Sequence, residues 1–269
     1  MSGGGPKYIF GGSHCNTMLP KKRKQQIVDL VEDRNGCSVD ELADEIEVSS
    51  ATIRRDLQDL EERKLIERTH GGATPVISHG KPYEKRKVQY IDQKRSIAER
   101  AVEEIREGQV IFFDSGSTLV ELAKRVPESL SITAVTRMPA VTYKLAERDH
   151  EVALTGGTYQ KEGHSCVGPW ADNRVKQINA DLLFLGTDGI DENGVTARDI
   201  QQSQIKRTLI DNARRVVLLA DHSKFDKQHA YQFGLHSSID VLITDSTVPE
   251  SVREGISSAG VQIIENTYS

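Results

Sequence analysis

One stretch of small and polar residues has the composition of an anion-binding turn: Asp114, Ser115, Gly116, Ser117 and Thr118. It follows an apolar segment of strand length at 110–113 and leads into a helix predicted over about 118–125. A turn from a strand into a helix N-terminus presents backbone N–H donors and the positive end of the helix dipole. The sequence therefore indicates phosphate binding at this turn, with simple capping of the helix as the alternative.

Two further glycine-containing turns and two lysines could complete the same site. The turns follow predicted strands at 152–154 and 182–185, and the carboxyl ends of parallel strands meet at the sheet edge where ligands bind. A lysine at that edge would neutralise a phosphate as a point charge, although each lysine alone is explained as well by an exposed helix or loop position. The residues concerned are Gly156, Gly157, Asp188, Gly189, Lys206 and Lys224.

A second group of residues, near the N-terminus, could contact nucleic acid. Ile53 and Leu57 must face a core, so the other side of their helix carries two hydroxyl residues and two arginines. Hydroxyls and paired arginines near a helix N-terminus suit contacts with phosphates and with base edges in the major groove. The alternative is a solvated face on which the arginines pair with Asp56 or Asp59. The outward residues are Ser50, Thr52, Arg54 and Arg55, with Ser49 or Ser50 as the N-cap.

A short helix with a strong start signal precedes this helix. Ser38 and Glu41 have the spacing of a capping box, and Leu42 and Ile46 form the inward stripe of the helix that begins there. A tight turn at 48–50 joins the two helices. Two helices in this arrangement are typical of a helix-turn-helix.

The residues after the second helix predict a wing. The segment 65–74 can form a hairpin with a Gly-Gly tip, and Arg68 and His70 within it could reach the DNA backbone, as could the basic residues 21–24. Many acidic residues in the same region confine any basic surface to one face. A helical interaction module with no DNA role is the alternative for residues 21–74.

The rest of the chain alternates apolar segments of strand length with helical segments. This alternation predicts an α/β domain with a mostly parallel sheet. Helices are predicted at about 92–106, 118–125, 138–147, 201–212 and 250–259. Strands are predicted at 110–113, 132–135, 152–154, 182–185, 216–220, 241–244 and 261–264.

Length and composition limit the class of protein. A chain of 269 residues has room for one small and one medium domain, and a net charge of −5 excludes an overall basic field. Three scattered cysteines exclude a disulfide framework and a zinc knuckle, and no apolar run approaches the roughly 20 residues of a membrane span. Residues 1–17 lack a secretory signal and are interpreted as a disordered lead-in or a mis-assigned start before Met18. We expect a cytoplasmic protein that uses no cofactor or metal.

The segment 38–73, SVDELADEIEVSSATIRRDLQDLEERKLIERTHGGA, resembles the winged helix-turn-helix of DeoR-family transcriptional regulators. The Leu19-Pro20 pair before a basic helix is similar to the usual opening of that family. DSGST, LTGG, FLGTDGI, GVTARD, IKR and LLADHSKF then occur in the order found in the family's sensor domain, whose fold is similar to ribose-5-phosphate isomerase. The resemblance covers residues 18–269 and implies four regions: the lead-in at 1–17, a DNA-binding domain at 18–76, a linker at 77–91, and an effector-sensing and oligomerisation domain at 92–269.

The resemblance also implies roles for individual residues. It assigns DNA contact to Ser49, Ser50, Thr52, Arg54, Arg55, Arg68 and His70. It assigns effector contact to Asp114, Ser115, Gly116, Ser117, Thr118, Gly156, Gly157, Asp188, Gly189, Lys206 and Lys224. The sequence departs from the family at Gln202, where an acidic residue often stands four positions before the helix lysine, so the effector contacts there are expected to differ.

The leading hypothesis is a metabolite-controlled repressor of sugar or glycerol catabolism genes. It would bind double-stranded operator DNA as a dimer or tetramer, because one winged helix offers little contact area, and a phosphorylated sugar or glycerol phosphate would release it. The rival is a sugar-phosphate isomerase in which Asp114, Asp188 or Asp191 is the base and Lys206 or Lys224 the electrophile. A phosphosugar-binding adaptor without DNA contact is the third possibility.

Overall fold

The computed structural model describes residues 20–34, 36–63, 65–74 and 83–266, without the side chains at 21, 32 and 33. Three predicted features lie outside these residues: the lead-in at 1–17, Leu19 of the Leu19-Pro20 pair, and residues 77–82 of the linker. Contacts divide the chain into two compact units, residues 1–77 and 78–269.

The first unit is a winged helix-turn-helix. Its elements are α1 (Pro20–Asp33), β1 (Cys37–Ser38), α2 (Val39–Ile46), α3 (Ser50–Glu62), β2 (Glu67–Thr69) and β3 (Gly72–Thr74). The Ser38 hydroxyl accepts from the Glu41 amide and the Glu41 carboxylate accepts from the Ser38 amide, so the predicted capping box is present. The three strands pair antiparallel in the order β1-β3-β2, and the helices bury one continuous apolar core that includes Ile53 and Leu57.

The wing differs in detail from the predicted Gly-Gly tip. Its turn consists of His70 and Gly71, whereas Gly72 is the first residue of β3 and pairs with both Ser38 and Thr69. A Cβ atom at Gly72 would lie 2.7 Å from the Cα of Ser38, which is too close for any side chain. Gly72 is therefore required by the close approach of β1 and β3.

The second unit is an α/β domain. Its helices are α4 (Tyr83–Val88), α5 (Ile91–Val102), α6 (Ser117–Ala123), α7 (Pro139–Ala146), α8 (Pro169–Val175), α9 (Ile200–Asp211) and α10 (Glu250–Ser258). Its strands are β4 (Val110–Phe113), β5 (Thr133–Thr136), β6 (Glu151–Leu154), β7 (Thr158–Gln160), β8 (Ser165–Val167), β9 (Leu182–Gly186), β10 (Gly189–Asp191), β11 (Gly194–Ala197), β12 (Val216–Leu219), β13 (Tyr231–Gly234), β14 (Val241–Thr244) and β15 (Gln262–Glu265).

The predicted apolar strands form one parallel sheet. Its order is β15-β14-β12-β9-β4-β5-β6, with β4 and β9 near the centre. Apolar side chains from α5, α6 and α7 cover one face, and those from α8, α9 and α10 cover the other. Burial on both faces explains why these strands are nearly continuous apolar runs. The predicted α/β class with a mostly parallel sheet is confirmed.

Smaller strands add to the predicted elements. β7 and β8 form an antiparallel hairpin, and β10, β11 and β13 form a second small sheet. Within the linker predicted over 77–91, residues 83–88 form α4 and the Tyr83 side chain is buried in the domain core. Among the described residues, no helix is long and apolar enough to cross a membrane.

Candidate functional site

The outward face of α3 carries two exposed arginines, Arg54 and Arg55. Neither forms an ion pair or hydrogen bond with any residue that the structure describes. The alternative predicted from sequence, pairing with Asp56 or Asp59, is not what the structure shows, because those acids contact α1 instead. Both guanidinium groups are consequently available to a ligand.

The partners of these acids come from the basic cluster at 21–24. The Arg23 guanidinium lies 2.6 Å from the Asp56 carboxylate, and the Lys24 ammonium lies 2.8 Å from that of Asp59. The charges of these two residues therefore connect α1 to α3, while contact of the cluster with phosphates stays a prediction.

The hydroxyl residues at the start of α3 mainly organise the helix terminus. Ser49 is the N-cap, and its hydroxyl accepts from the Thr52 amide at 3.2 Å and contacts the Thr52 hydroxyl at 2.9 Å. The Ser50 hydroxyl donates to the Asp40 carboxylate on α2. In the wing, Arg68 and His70 are both exposed, with the Arg68 guanidinium 3.9 Å from Glu61.

A cleft in the second unit opens where β4, β9 and β12 end. Its empty space is about 1000 Å³, including the part open to solvent. Three of its wall segments directly follow those strands, as expected for the carboxyl edge of a parallel sheet. The predicted effector residues that line it are Ser115, Gly116, Ser117, Thr118, Asp188, Lys206 and Lys224.

Asp114 lies beneath this cleft instead of lining it. Its fully buried carboxylate accepts hydrogen bonds from Arg137 at 2.9 Å, from Lys206, and from the Gly186 amide at 3.2 Å. Burial alone would raise the pKa of Asp114, but the charges of Lys206 and Arg137 outweigh it and hold that pKa below its usual range. Asp114 therefore fixes the floor of the cleft.

Three predicted glycines also lie outside the cleft lining, at positions where the backbone conformation or a close contact favours glycine. Gly156 and Gly157 have φ values of +70° and +114°, which favour glycine, and a Cβ at Gly157 would lie 2.7 Å from the Val167 carbonyl oxygen. Gly189 begins β10 and leaves no room for a Cβ beside the Lys227 carbonyl. These positions shape the loops around the cleft and do not border it.

Like Lys94, which also lines the cleft, the cations Arg198 and Lys224 form no ion pair with described residues. Both lie in its wall, and their charges, after that of Arg86, outweigh the effect of burial and lower the pKa of Asp188. The hydroxyls of Ser117 and Thr118 face the same space and make no hydrogen bond to described residues. An anion with hydroxyl groups would find both charge and hydrogen-bonding partners here.

Several cleft residues were not predicted from sequence as site residues: Arg86, Lys94, Gln160, Glu162, Arg198 and Gln202. Gln202 accepts from Arg137 at 2.6 Å and donates to Gln160 at 2.6 Å, so its amide has a fixed orientation where an acidic residue was expected. Arg198 belongs to the GVTARD motif, a signal that was available in the sequence. Arg86 and Lys94 carry no such motif, and only the fold brings them here.

None of the three carboxylates named in the isomerase hypothesis is placed as a free base in the cleft. Asp114 is held by two cations, and the Asp188 carboxylate accepts from the Arg198 amide at 3.2 Å and lies 3.8 Å from Arg86. Asp191 lies outside the cleft lining and accepts from the Asn193 amide in the turn between β10 and β11, as a β-turn residue does. A free carboxylate facing Lys206 or Lys224 is therefore not formed by any of these three.

Comparison with known proteins gives a consistent result for both units. Residues 23–78 match the DeoR-like helix-turn-helix domain, and residues 89–246 match the DeoR C terminal sensor domain. The chain is 47% identical over 251 residues to the HTH-type transcriptional regulator GlpR of Haloferax volcanii, covering 92% of this chain and 98% of that protein. It is 32% identical over 249 residues to the Glycerol-3-phosphate regulon repressor of Escherichia coli, covering 91% and 99%.

Solved structures give a weaker match. Ribose 5-phosphate isomerase A from Methanocaldococcus jannaschii has a TM-score of 0.39 at 18% identity, over 51% of this chain and 56% of that chain. So distant a likeness carries no argument about function. The domain matches and the full-length relatives, by contrast, are transcriptional regulators, which confirms the regulator hypothesis over the isomerase hypothesis. The chain belongs to the DeoR family of transcriptional regulators.

Proposed function

We propose that this protein represses genes for the catabolism of glycerol or sugars, and that a phosphorylated sugar or glycerol phosphate relieves the repression. The first unit binds double-stranded operator DNA through α3 and the wing. The second unit binds the effector in its cleft, and the protein acts in the cytoplasm, where both ligands occur.

The observation that carries the effector assignment is that the cleft contains cations which form no ion pair with described residues. Arg198 and Lys224 offer positive charge that no described carboxylate neutralises by direct contact, beside the free hydroxyls of Ser117 and Thr118. A phosphate group is the common metabolite group that uses both features, since its oxygens accept charge-assisted hydrogen bonds from cations and hydroxyls. The hydroxyls of a sugar or of glycerol suit the polar side chains on the remaining walls.

The relatives suggest which phosphorylated compound to test first. One protein that matches this chain over its length is named for the glycerol-3-phosphate regulon. sn-Glycerol 3-phosphate is small enough for a cleft of this size, and its two hydroxyls leave partners for Ser117 and Thr118. We therefore take it as the first probe, with phosphorylated hexoses as the second class.

Operator binding requires more than one copy of the chain. A single α3 presents only a short face with two arginines, whereas typical helix-turn-helix proteins bind two half-sites as symmetric dimers. We include in the proposal a dimer or tetramer that places two recognition helices about 34–36 Å apart, or a multiple of that spacing.

The experiment that tests this function measures operator release. A duplex selected by the protein from a random-sequence library is labelled, and its binding is followed by fluorescence anisotropy with and without sn-glycerol 3-phosphate, unphosphorylated glycerol and a panel of hexose phosphates. We expect release by at least one phosphorylated compound and none by glycerol. Complete switching from 1:99 to 99:1 needs about a 10⁴-fold preference of the effector for one state. Retention of the duplex with every phosphorylated compound would contradict the proposal.

Changing Arg198 or Lys224 to glutamine is expected to weaken binding of the phosphorylated effector. Each substitution removes a charged donor whose hydrogen bond to phosphate contributes about 1.5–3 kcal/mol, so affinity should fall roughly 10- to 100-fold. Isothermal titration calorimetry of each variant measures the loss. Arg214→Gln is the matched control, because Arg214 is highly exposed and lies outside the cleft lining. Equal affinities for wild type and both cleft variants would exclude these residues from the site.

Effector affinity is expected to fall as the pH rises above about 8. Burial lowers the pKa of Lys94, which lines the cleft, to about 8; Asp221 and Glu121 partly oppose this shift, while Lys224 and Arg86 add to it. An anion binds the charged ammonium, which is present below pH 8 and is lost above it, whereas the phosphate group keeps its charge over this range. Titrations between about pH 7 and 9.5 measure the effect. Lys94→Met should remove this pH dependence, and its persistence in that variant would assign it to another group.

A further inference from the structure

The short helix α4 is held at the rim of the cleft by two cations that the cleft itself contains. The first is Arg86, on α4, whose guanidinium lies 3.8 Å from the Asp188 carboxylate across the cleft wall. This contact is long for an ion pair, and Asp188 also accepts from the Arg198 amide. Arg86 is therefore held to Asp188 by charge attraction at the outer limit of ion-pair distance.

The second cation is Lys94, on α5. Its ammonium donates to the carbonyl oxygens of Arg86 and Gln89, each at 2.6 Å, and so holds the C-terminal end of α4. Lys94 is only 3% exposed and forms no ion pair within the described residues. A buried ammonium with only neutral partners is costly, and burial lowers its pKa to about 8.

The other end of α4 contacts a second part of the cleft wall. Tyr83 stacks on His164 with ring centroids 4.7 Å apart. His164 lies in the hairpin β7–β8, whose turn contributes Glu162 and Gly163 to the cleft. Each end of α4 is thus connected to groups that border the space where the effector is proposed to bind.

The position of α4 in the chain gives these contacts a consequence. α4 is the first described element after residues 75–82, which follow the wing in sequence. A change at α4 is therefore a change at the start of the second unit, next in sequence to the residues that connect the second unit to the first.

We propose that α4 registers effector occupancy, because an anionic group in the cleft draws Lys94 away from the carbonyls of α4 and Arg86 away from Asp188. A phosphate oxygen carries a full negative charge whereas each carbonyl oxygen carries only a partial one, so the anion attracts the Lys94 ammonium more strongly than the two carbonyl oxygens do. The binding energy of the effector thereby loosens the C-terminal end of α4. This inference rests on the proposed effector class and gives two of the cleft residues, Arg86 and Lys94, a role in changing α4 when the effector binds.

Hydrogen–deuterium exchange of the full-length protein tests the inference. Amides at 87–90, among them the Gln89 amide that donates to the Lys85 carbonyl at 3.3 Å, are followed with and without sn-glycerol 3-phosphate, with inorganic phosphate as a second probe. We expect exchange about tenfold faster when the anion is bound, since loss of one hydrogen bond to a charged group changes an opening equilibrium by about that factor. Amides of β4 and β9 serve as the internal reference and should not change.

Lys94→Met and Lys87→Met provide a matched pair on neighbouring elements. Both remove one ammonium, but Lys87 is exposed on α4 and lies outside the cleft lining. In the absence of ligand, Lys94→Met should accelerate exchange at 87–90 about tenfold, and Lys87→Met should leave it as in wild type. If Lys94→Met does not fold, Arg86→Gln is the second variant, because it removes the side-chain contact with Asp188 and leaves the Arg86 carbonyl in place. Exchange at 87–90 without ligand should then be faster than in wild type, and unchanged exchange would count against the inference.

The outcomes separate this inference from the proposed function. If a phosphorylated probe raises the melting temperature but exchange at 87–90 stays unchanged, α4 does not register occupancy, while the effector assignment stands. Unaltered exchange in ligand-free Lys94→Met would also overturn the inference. If no phosphorylated probe binds by thermal shift, the proposed function fails and this inference fails with it.

Discussion

Replacing Arg54 and Arg55 together by alanine is expected to lower operator affinity by at least about 30-fold. Each arginine that reaches a base edge or phosphate contributes about 1–3 kcal/mol, and the two side chains on α3 are exposed and unpaired among the described residues. The fold should be unaffected, because neither side chain contributes to the core formed by Ile53 and Leu57. Fluorescence anisotropy with the selected duplex measures affinity, and thermal unfolding by circular dichroism measures stability.

Arg63→Ala is the control for this double variant. Arg63 caps the other end of α3, is also exposed, and pairs with Asp59 at 3.0 Å. Arg63→Ala also removes a guanidinium charge from α3, but at the end of the helix opposite to Arg54 and Arg55. Operator affinity should therefore change by much less than in the double variant. If the double variant binds the duplex like wild type, α3 is not the recognition helix.

Asp114→Asn is expected to destabilise the second unit by about 3–5 kcal/mol. Removing the carboxylate charge leaves Lys206 and Arg137 buried without their shared counter-ion, and breaking a buried ion pair from one side typically has this cost. Urea unfolding followed by fluorescence measures the change as a lower midpoint. The control is Asp211→Asn on the same helix as Lys206; Asp211 is exposed, and its change should stay within about 0.5 kcal/mol.

The pH dependence of this stabilisation follows from the lowered pKa of Asp114. Because the folded-state pKa lies below that of the unfolded chain, the stabilisation is complete above the ordinary aspartate pKa of about 3.9 and is lost as the pH falls through the lower, folded value. The difference between wild type and Asp114→Asn should therefore be constant near neutral pH and shrink only in strong acid. A difference that disappears near pH 6 would assign the stabilisation to another group.

The parallel sheet could be predicted from sequence because its strands are buried on both faces. Segments such as 182–185 and 216–220 are continuous apolar runs, and the helices between them place strands side by side with the same direction. The small strands of β7–β8 and β10–β11 could not be predicted in this way. They are only three or four residues long, and their pairing depends on contacts between segments that carry no periodic signal.

The same difference between local and tertiary signals explains which residues of the candidate site could be predicted from sequence. The turn after β4 could be predicted as part of the cleft, since it follows a strand and precedes a helix, and Ser117 and Thr118 lie there. The position of Asp114 one residue past the strand did not reveal that two cations hold it below the cleft floor. Arg86 escaped prediction because α4 lay in a segment that proline, glycine and basic residues made similar to a linker. Lys94 lay in a predicted helix with no motif to mark it, and only the fold brings it to the cleft.

The ion pairs between α1 and α3 have a consequence for how the protein distinguishes its operator from the rest of the chromosome. Arg23 and Lys24 are neutralised by Asp56 and Asp59, so they displace few of the ions condensed around a double helix. Their share of the attraction to arbitrary sequence is then small, which leaves more of the DNA contact to exposed side chains such as Arg54 and Arg55. A protein of this kind spends less of its time trapped on irrelevant DNA.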